Sequence, residues 1–178
     1  MPVRYSNGPE TRRISHRELT SADAKFFYQL NSHPDVMQFT GDQILCNEDQ
    51  ARHALQHYPD FNEVGYGRWG CVLKTNQQLI GFCGLKYLPE QDAVDLGYRF
   101  FPEYWGQGLA TEAASACLGF GFQTIGLHQI LGIALPENLA SIRVLTKLGM
   151  KRDGDFVEGN LRAHRYVCTA DNWLAQNH

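Results

Sequence analysis

The stretch Tyr104-Trp105-Gly106-Gln107-Gly108-Leu109-Ala110-Thr111-Glu112 carries the densest chemical information in this sequence. Glycines at 106 and 108 allow the backbone to approach a ligand closely, and the first N–H groups of a helix starting there have no acceptor inside the helix. Such a turn suits an anion, a phosphate or a pyrophosphate. Gly-x-Gly alone marks only a tight turn, so the flanking residues decide which anion fits. A dinucleotide fingerprint needs a third glycine, where position 111 is Thr, and an acidic residue about 20 positions later. A nucleoside-triphosphate loop needs Gly-Lys-Ser/Thr, which is absent. Both readings fall away. A second polar segment, Pro136-Glu137-Asn138-Leu139-Ala140-Ser141, follows the next apolar run. Asn138 and Ser141 face the same ligand as the glycine turn or, more simply, Asn138 caps its helix. Asp95 and Glu103 are candidate proton acceptors, and the plainer reading of each is a solvated carboxylate. His53 and His57, four residues apart, offer a metal two ligands without a third, so no metal is expected. His128 and Trp69 read as structural.

Elements that position these residues follow from the apolar spacing. Leu109, Ala113, Cys117 and Gly121, with Ala110, Ala114 and Leu118, repeat at about 3.6 residues and predict a helix over Gln107–Thr124. Ala93–Phe101 before it and Ile130–Leu135 after it read as strands. Strand, helix, strand is a βαβ unit with parallel strands. Both polar segments then follow the carboxyl ends of strands on one side of the sheet, where ligands bind in open sheets. Arg68–Lys74, Gln78–Tyr87 and Ala93–Phe101, joined at Thr75-Asn76-Gln77 and Pro89-Glu90-Gln91-Asp92, predict an antiparallel meander. Upstream, Thr11–Glu18 has β character and Thr20 or Ser21 caps a helix to about Leu30. Asn47 with Gln50 opens a helix over Asp49–Tyr58, which Pro59 stops. Downstream, a helix over Asn138–Leu148 ends at Gly149, and Met150–Val157 with Ala163–Thr169 close as a strand pair. The predicted class is α+β, a mixed, mostly antiparallel sheet with a parallel βαβ cleft flanked by helices.

Composition narrows the function. Residues 1–178, 43% hydrophobic, fit a single globular domain with a sizeable core. A net charge of −3 argues against nucleic acid as a partner. No apolar run approaches the roughly 18 residues of a membrane span, and Met1–Glu10 lacks the apolar core of a signal peptide. Cys46, Cys71, Cys83, Cys117 and Cys168 are widely spaced with no C-x-x-C pair, arguing against a disulfide framework or zinc site. A cytoplasmic protein with no membrane partner is expected.

Tyr104–Glu112, Pro136-Glu137-Asn138 and Ala140–Met150 together resemble the acetyl-CoA motifs of the GNAT N-acetyltransferases. Leu19–Ala24 and His33–Met37 resemble the branch holding the ribosomal-protein N-terminal acetyltransferases (RimJ/RimL-like). The resemblance covers roughly residues 11–170 and implies acetyl-CoA as co-substrate. It implies that Gly106, Gln107, Gly108, Leu109, Ala110 and Thr111 hold the pyrophosphate, with Trp105 walling the cleft. Tyr98, Arg99 and Phe100 would pair along the pantetheine arm and Asn138 would bond that arm from the other side. Two positions depart from the family pattern. Trp105 stands where Gln or Arg is usual, and Leu145 stands where many members carry a Tyr acid seven residues after the Asn. Ser141, one helical turn after Asn138, is the nearest remaining hydroxyl for the departing thiolate.

The implied reaction is direct attack of a neutral primary amine on the thioester, with Asp95 or Glu103 as base and the Phe100 or Phe101 N–H facing the oxyanion. The acceptor is a protein N-terminal α-amine or a small amine, either a polyamine or an aminoglycoside. A non-catalytic acyl-CoA-binding module is the rival class, and a homodimer is open. Asp35, Asp42, Glu48, Asp49, Asp60, Glu63, Glu90 and Asp92, against Arg52 and Arg68, predict an acidic rim for a cationic acceptor.

Overall fold

The predicted meander forms the centre of an eight-stranded sheet in the computed structural model, which describes residues 1–177. Arg68–Leu73 (β3), Gln78–Leu88 (β4) and Ala93–Phe100 (β5) pair antiparallel. Outside β3 lie Ile14–Arg17 (β2) and then Asn7–Glu10 (β1). Nothing in Asn7-Gly8-Pro9-Glu10 favours a strand by propensity. Pairing with β2 holds it there, with Gly8 lying against the ring of the fully buried Trp69.

The βαβ unit follows. After β5 come the helix Leu109–Phe120 (α5) and Gln129–Ala134 (β6), parallel to β5. The helix predicted to Thr124 gives way earlier, to a π-helical turn over Gly121–Ile125. β6 pairs antiparallel with Leu161–Thr169 (β8), and β8 pairs with the edge strand Lys151–Glu158 (β7). The order is β1-β2-β3-β4-β5-β6-β8-β7, and β5–β6 is the one parallel pairing among the described residues. This is the α+β architecture that the sequence predicts.

Helices cover both faces. Leu109, Ala113, Ala114, Cys117 and Leu118 of α5 pack on Trp69, Cys71, Cys83, Leu85 and Leu96. Strand alternation turns Phe82 to the other face, where Ala24–Ser32 (α1) and Pro34–Met37 (α2) bury Leu30, Val36 and Met37 on it. Glu48–Gln56 (α3) begins as predicted, with Asn47 Oδ1 accepting the Gln50 N–H at 2.9 Å and Gln50 Oε1 accepting the Cys46 N–H at 2.9 Å. The short helix Asp60–Glu63 (α4) follows Pro59. Leu139–Lys147 (α6) lies after β6, and Ala170–Asn177 (α7), absent from the sequence reading, packs Trp173 against Phe122.

Candidate active site

β5 and β6 share only two registered pairs, Asp95 with Leu131 and Leu96 with Gly132. Beyond them β5 continues paired with β4 alone and β6 with β8 alone, so the two strands part and leave a cleft. Register decides what lines it. The Phe101 N–H donates to the Ile80 carbonyl at 3.1 Å, so the antiparallel ladder directs the peptide groups of Gly97 and Arg99 at β4. Those of Tyr98 and Phe100 face the cleft. Contrary to the expected strand edge of Tyr98, Arg99 and Phe100, the Arg99 peptide is committed to β4, and the Phe101 N–H is already bonded and unavailable to an oxyanion. The indole N–H of Trp105, a residue 49% exposed, donates to the Phe100 carbonyl at 2.8 Å and closes that end of the cleft.

Past β5 the chain turns through Gly106 (φ 73°) and Gly108 (φ 77°) into α5. Gly108 occupies the N-cap with no side chain capping the helix, so the N–H groups of Leu109, Ala110 and Thr111 are left for an outside acceptor. Around Gly106 a Cβ would meet nothing within 4 Å, an open cradle. These features fit a pyrophosphate. Across the cleft Asn138 caps α6, its Oδ1 accepting the Ser141 N–H at 3.1 Å, which leaves its amide N–H₂ free to donate. Leu145 is 1% exposed and packs against Gly132, so a core residue fills the position of the usual family Tyr. A phenol nevertheless reaches this place from β5. The Tyr98 hydroxyl lies 2.8 Å from Ser141 Oγ and 3.2 Å from the Ser141 carbonyl. Burial raises the Tyr98 pKa well above its usual value, so the phenol stays protonated.

Asp95 lies on the opposite face of β5 from Tyr98. It is 6% exposed, and its Oδ2 accepts from Arg68 Nη2 at 2.7 Å while Oδ1 has no hydrogen-bond partner among the described residues. Burial pushes its carboxyl up to about 6 despite the adjacent guanidinium. A Cβ at position 97 would collide with Arg68, so glycine there lets the guanidinium lie against β5. Arg99, on the same face, bonds Asn31 and pairs with Asp42 at 2.8 Å. Burial lowers its pKa while Asp42 opposes that shift. Tyr58 donates to Asp60 at 2.8 Å beside them. Glu103 is exposed and offers its carbonyl to Gln107.

The predicted acidic rim is therefore reduced. Asp42 is paired, Asp60 is buried and bonded to Tyr58, and Asp92 accepts from Tyr87 at 2.8 Å. Among the described residues no group of three or more His, Cys, Asp or Glu is placed to hold a metal, and His57 Nδ1 bonds the His53 carbonyl. No described helix is long and apolar enough to cross a membrane.

The description "Acetyltransferase (GNAT) domain" matches residues 13–151. The uncharacterized N-acetyltransferase YnaD of Bacillus subtilis is 33% identical over 147 residues, 82% of this chain and 84% of that protein. The spermidine N(1)-acetyltransferase of Escherichia coli is 32% identical over 179 residues, 96% of this chain and 92% of that one. A GNAT-family acetyltransferase from Bacillus anthracis has a TM-score of 0.77 at 28% identity, covering 92% of this chain and 98% of its own. Spermidine N-acetyltransferase from Vibrio cholerae, solved with CoA and spermine, shares the fold with a TM-score of 0.76 at 18% identity, covering 92% and 99%. The cleft, the glycine turn and these matches lead to one assignment: the chain belongs to the GNAT family of acetyltransferases and is an acyltransferase.

Proposed function

We propose that the protein moves an acetyl group from acetyl-CoA to a cationic primary amine by direct attack, both substrates being bound at once. The observation that carries this is the unpaired edge of β5 at Tyr98 and Phe100, set between the glycine turn and Asn138–Ser141. An extended chain bearing amides at one end and phosphates at the other suits such a line of groups. Gly106 to Thr111 hold the phosphates, the Phe100 N–H and the Tyr98 carbonyl pair with the pantetheine amides, and Asn138 donates from the facing wall.

In the reaction a nitrogen–carbon bond forms, the carbon–sulfur bond breaks, the nitrogen loses a proton and the thiolate gains one. Asp95, with its free Oδ1 and a pKa near 6, receives the proton from the amine side. The oxyanion donor is the Tyr98 N–H, rather than that of Phe100 nearer the phosphate turn, and it faces the negative charge developing on the thioester oxygen. Ser141, bonded to the Tyr98 hydroxyl, faces the departing sulfur. Base and sulfur partner stand on opposite faces of β5, so the amine and the leaving group reach the reacting carbon from opposite sides.

For the acceptor, the resemblance to the RimJ/RimL-like branch supports a protein N-terminal α-amine. Its pKa of about 8 leaves roughly a tenth neutral at pH 7, so little is asked of the base. The matches to spermidine acetyltransferases at 32% identity support a second reading, a polyamine. Five free cysteines, four of them buried, support a reducing, cytoplasmic setting. The test is thiol release from acetyl-CoA, followed with dithionitrobenzoate over peptide N-termini, spermidine, aminoglycosides and anionic amines. Release with cationic primary amines is expected. CoA binding with no release from any amine leaves a non-catalytic acyl-CoA-binding module.

A further inference from the structure

We propose that Arg13, in the turn between β1 and β2, is a phosphate-binding residue of the acetyl-CoA site. Its guanidinium reaches the glycine turn from a strand pair on the far side of the sheet order. This rests on the reading that the turn and the start of α5 take the pyrophosphate.

The turn Trp105-Gly106-Gln107-Gly108 contains no cationic side chain, and the first turn of α5 carries Glu112, an anion that on its own opposes a phosphate. Arg13 meets both conditions. Its Nε donates to Glu112 Oε2 at 2.7 Å and its peptide N–H to Oε1 at 2.9 Å, while the Thr11 hydroxyl adds a bond to Oε1 at 2.7 Å. Against the burial that would raise it, these bonds hold the Glu112 carboxyl below the usual range, so it stays an anion fully engaged with Arg13 and Thr11. A second donor, Nη1, bonds the Gln107 carbonyl at 3.0 Å and fixes the middle of the glycine turn. The third, Nη2, lies 3.6 Å from where a Cβ on Gly108 would stand and has no hydrogen-bond partner among the described residues. The pair as a whole is neutral, but its positive end points at the turn. A planar fork with two donors anchored presents the remaining one in a fixed direction, the arrangement that suits a phosphate oxygen.

A purely structural role, tying α5 to the outer strands, makes a different prediction. In that case Arg13→Gln and Glu112→Gln break the same tie and behave alike. If Arg13 binds phosphate, Arg13→Gln weakens CoA binding by about ten-fold or more. Glu112→Gln, which removes a negative charge and leaves the guanidinium in place, stays within about threefold of the wild type. Arg13→Lys keeps the charge and loses the fork, and falls between them. Calorimetry with CoA on the four proteins, each first checked by thermal unfolding, reads this out, with Gly108→Val as the control for the turn. Equal weakening in Arg13→Gln and Glu112→Gln overturns the proposal. So does wild-type affinity in Arg13→Gln when Gly108→Val has lost binding, a result that leaves the pyrophosphate turn standing. Normal CoA binding by Gly108→Val removes the turn itself and the proposal with it.

Discussion

The two walls of the cleft are made in different ways. On the cofactor side the groups that face a ligand are mostly backbone: the peptide groups of Tyr98 and Phe100, the N–H groups of Leu109 to Thr111, and a turn shaped by two positive-φ glycines. On the acceptor side they are side chains in ion pairs and hydrogen bonds, Arg68 with Asp95, Arg99 with Asn31 and Asp42, and Tyr58 with Asp60. Backbone donors bind what every family member shares, a phosphate and an amide chain, and they tolerate changes of side chain. Buried side-chain pairs depend on both partners, because removing one strands a charge at a cost of about 3–5 kcal/mol. Under the proposed reaction the first wall is therefore generic, and the second is where an acceptor is chosen.

The largest effect is expected from breaking the generic wall. Gly108→Val places a β-branched residue at φ 77° and displaces the turn amides. Calorimetry should find no CoA binding, while the protein stays folded with its melting temperature lowered by about 2–8 °C, the cost of a side chain at positive φ where its Cβ meets only Arg13 at 3.6 Å.

On the acceptor wall, Asp95→Asn should lower kcat by about a hundred-fold with spermidine, whose amine is the more basic, and by only about ten-fold with a peptide N-terminus. In the wild type, kcat should rise with pH through about 6 as Asp95 ionises, and the Asn variant should lose that limb. Stability runs the other way. Asp95 has a folded pKa raised above its unfolded value of about 3.9. Its contribution is complete below that value and is lost as pH rises through about 6. Chemical denaturation of the wild type between those pH values should show the decline, and the Asn variant a flatter profile.

A smaller change is expected where the walls meet. Tyr98→Phe and Ser141→Ala should each lower kcat about ten-fold with little change in the acetyl-CoA KM. The double variant should be no worse than about either single one, because the two hydroxyls act through one bond. An unchanged kcat, with chemistry limiting turnover, assigns the sulfur's proton to water. The mildest probe is salt. Raising ionic strength should increase the acceptor KM roughly threefold and move that of acetyl-CoA less. A salt-independent acceptor KM would contradict a cationic acceptor.

What was legible in the sequence follows the same division. Gly106, Gly108 and Asn138 act within a few residues of their own positions, so spacing reveals them. Arg13 and Glu112 are 99 positions apart, Arg99 and Asp42 57 apart, and no local pattern joins them. Arg99 was expected at the cleft edge because a strand's composition does not say which peptide groups face which neighbour. That is set by register, here by the bond from the Phe101 N–H to Ile80. Tyr98 was expected only as backbone because the family pattern directs attention to position 145. Arg68 and Asp95 are 27 positions apart on β3 and β5, with β4 between them, so the acceptor wall left no local pattern either. The edge strand β1 and the helix α7 left no signal at all, since neither has a propensity or an apolar stripe that stands out.

Direct transfer across the cleft is tested by initial velocities with acetyl-CoA and a peptide or spermidine acceptor both varied. Double-reciprocal lines that intersect, with thiol released only when the amine is present, are what two substrates held on opposite faces of β5 require. Parallel lines, with labelled acetyl retained on the protein when acetyl-CoA is added alone, would contradict it.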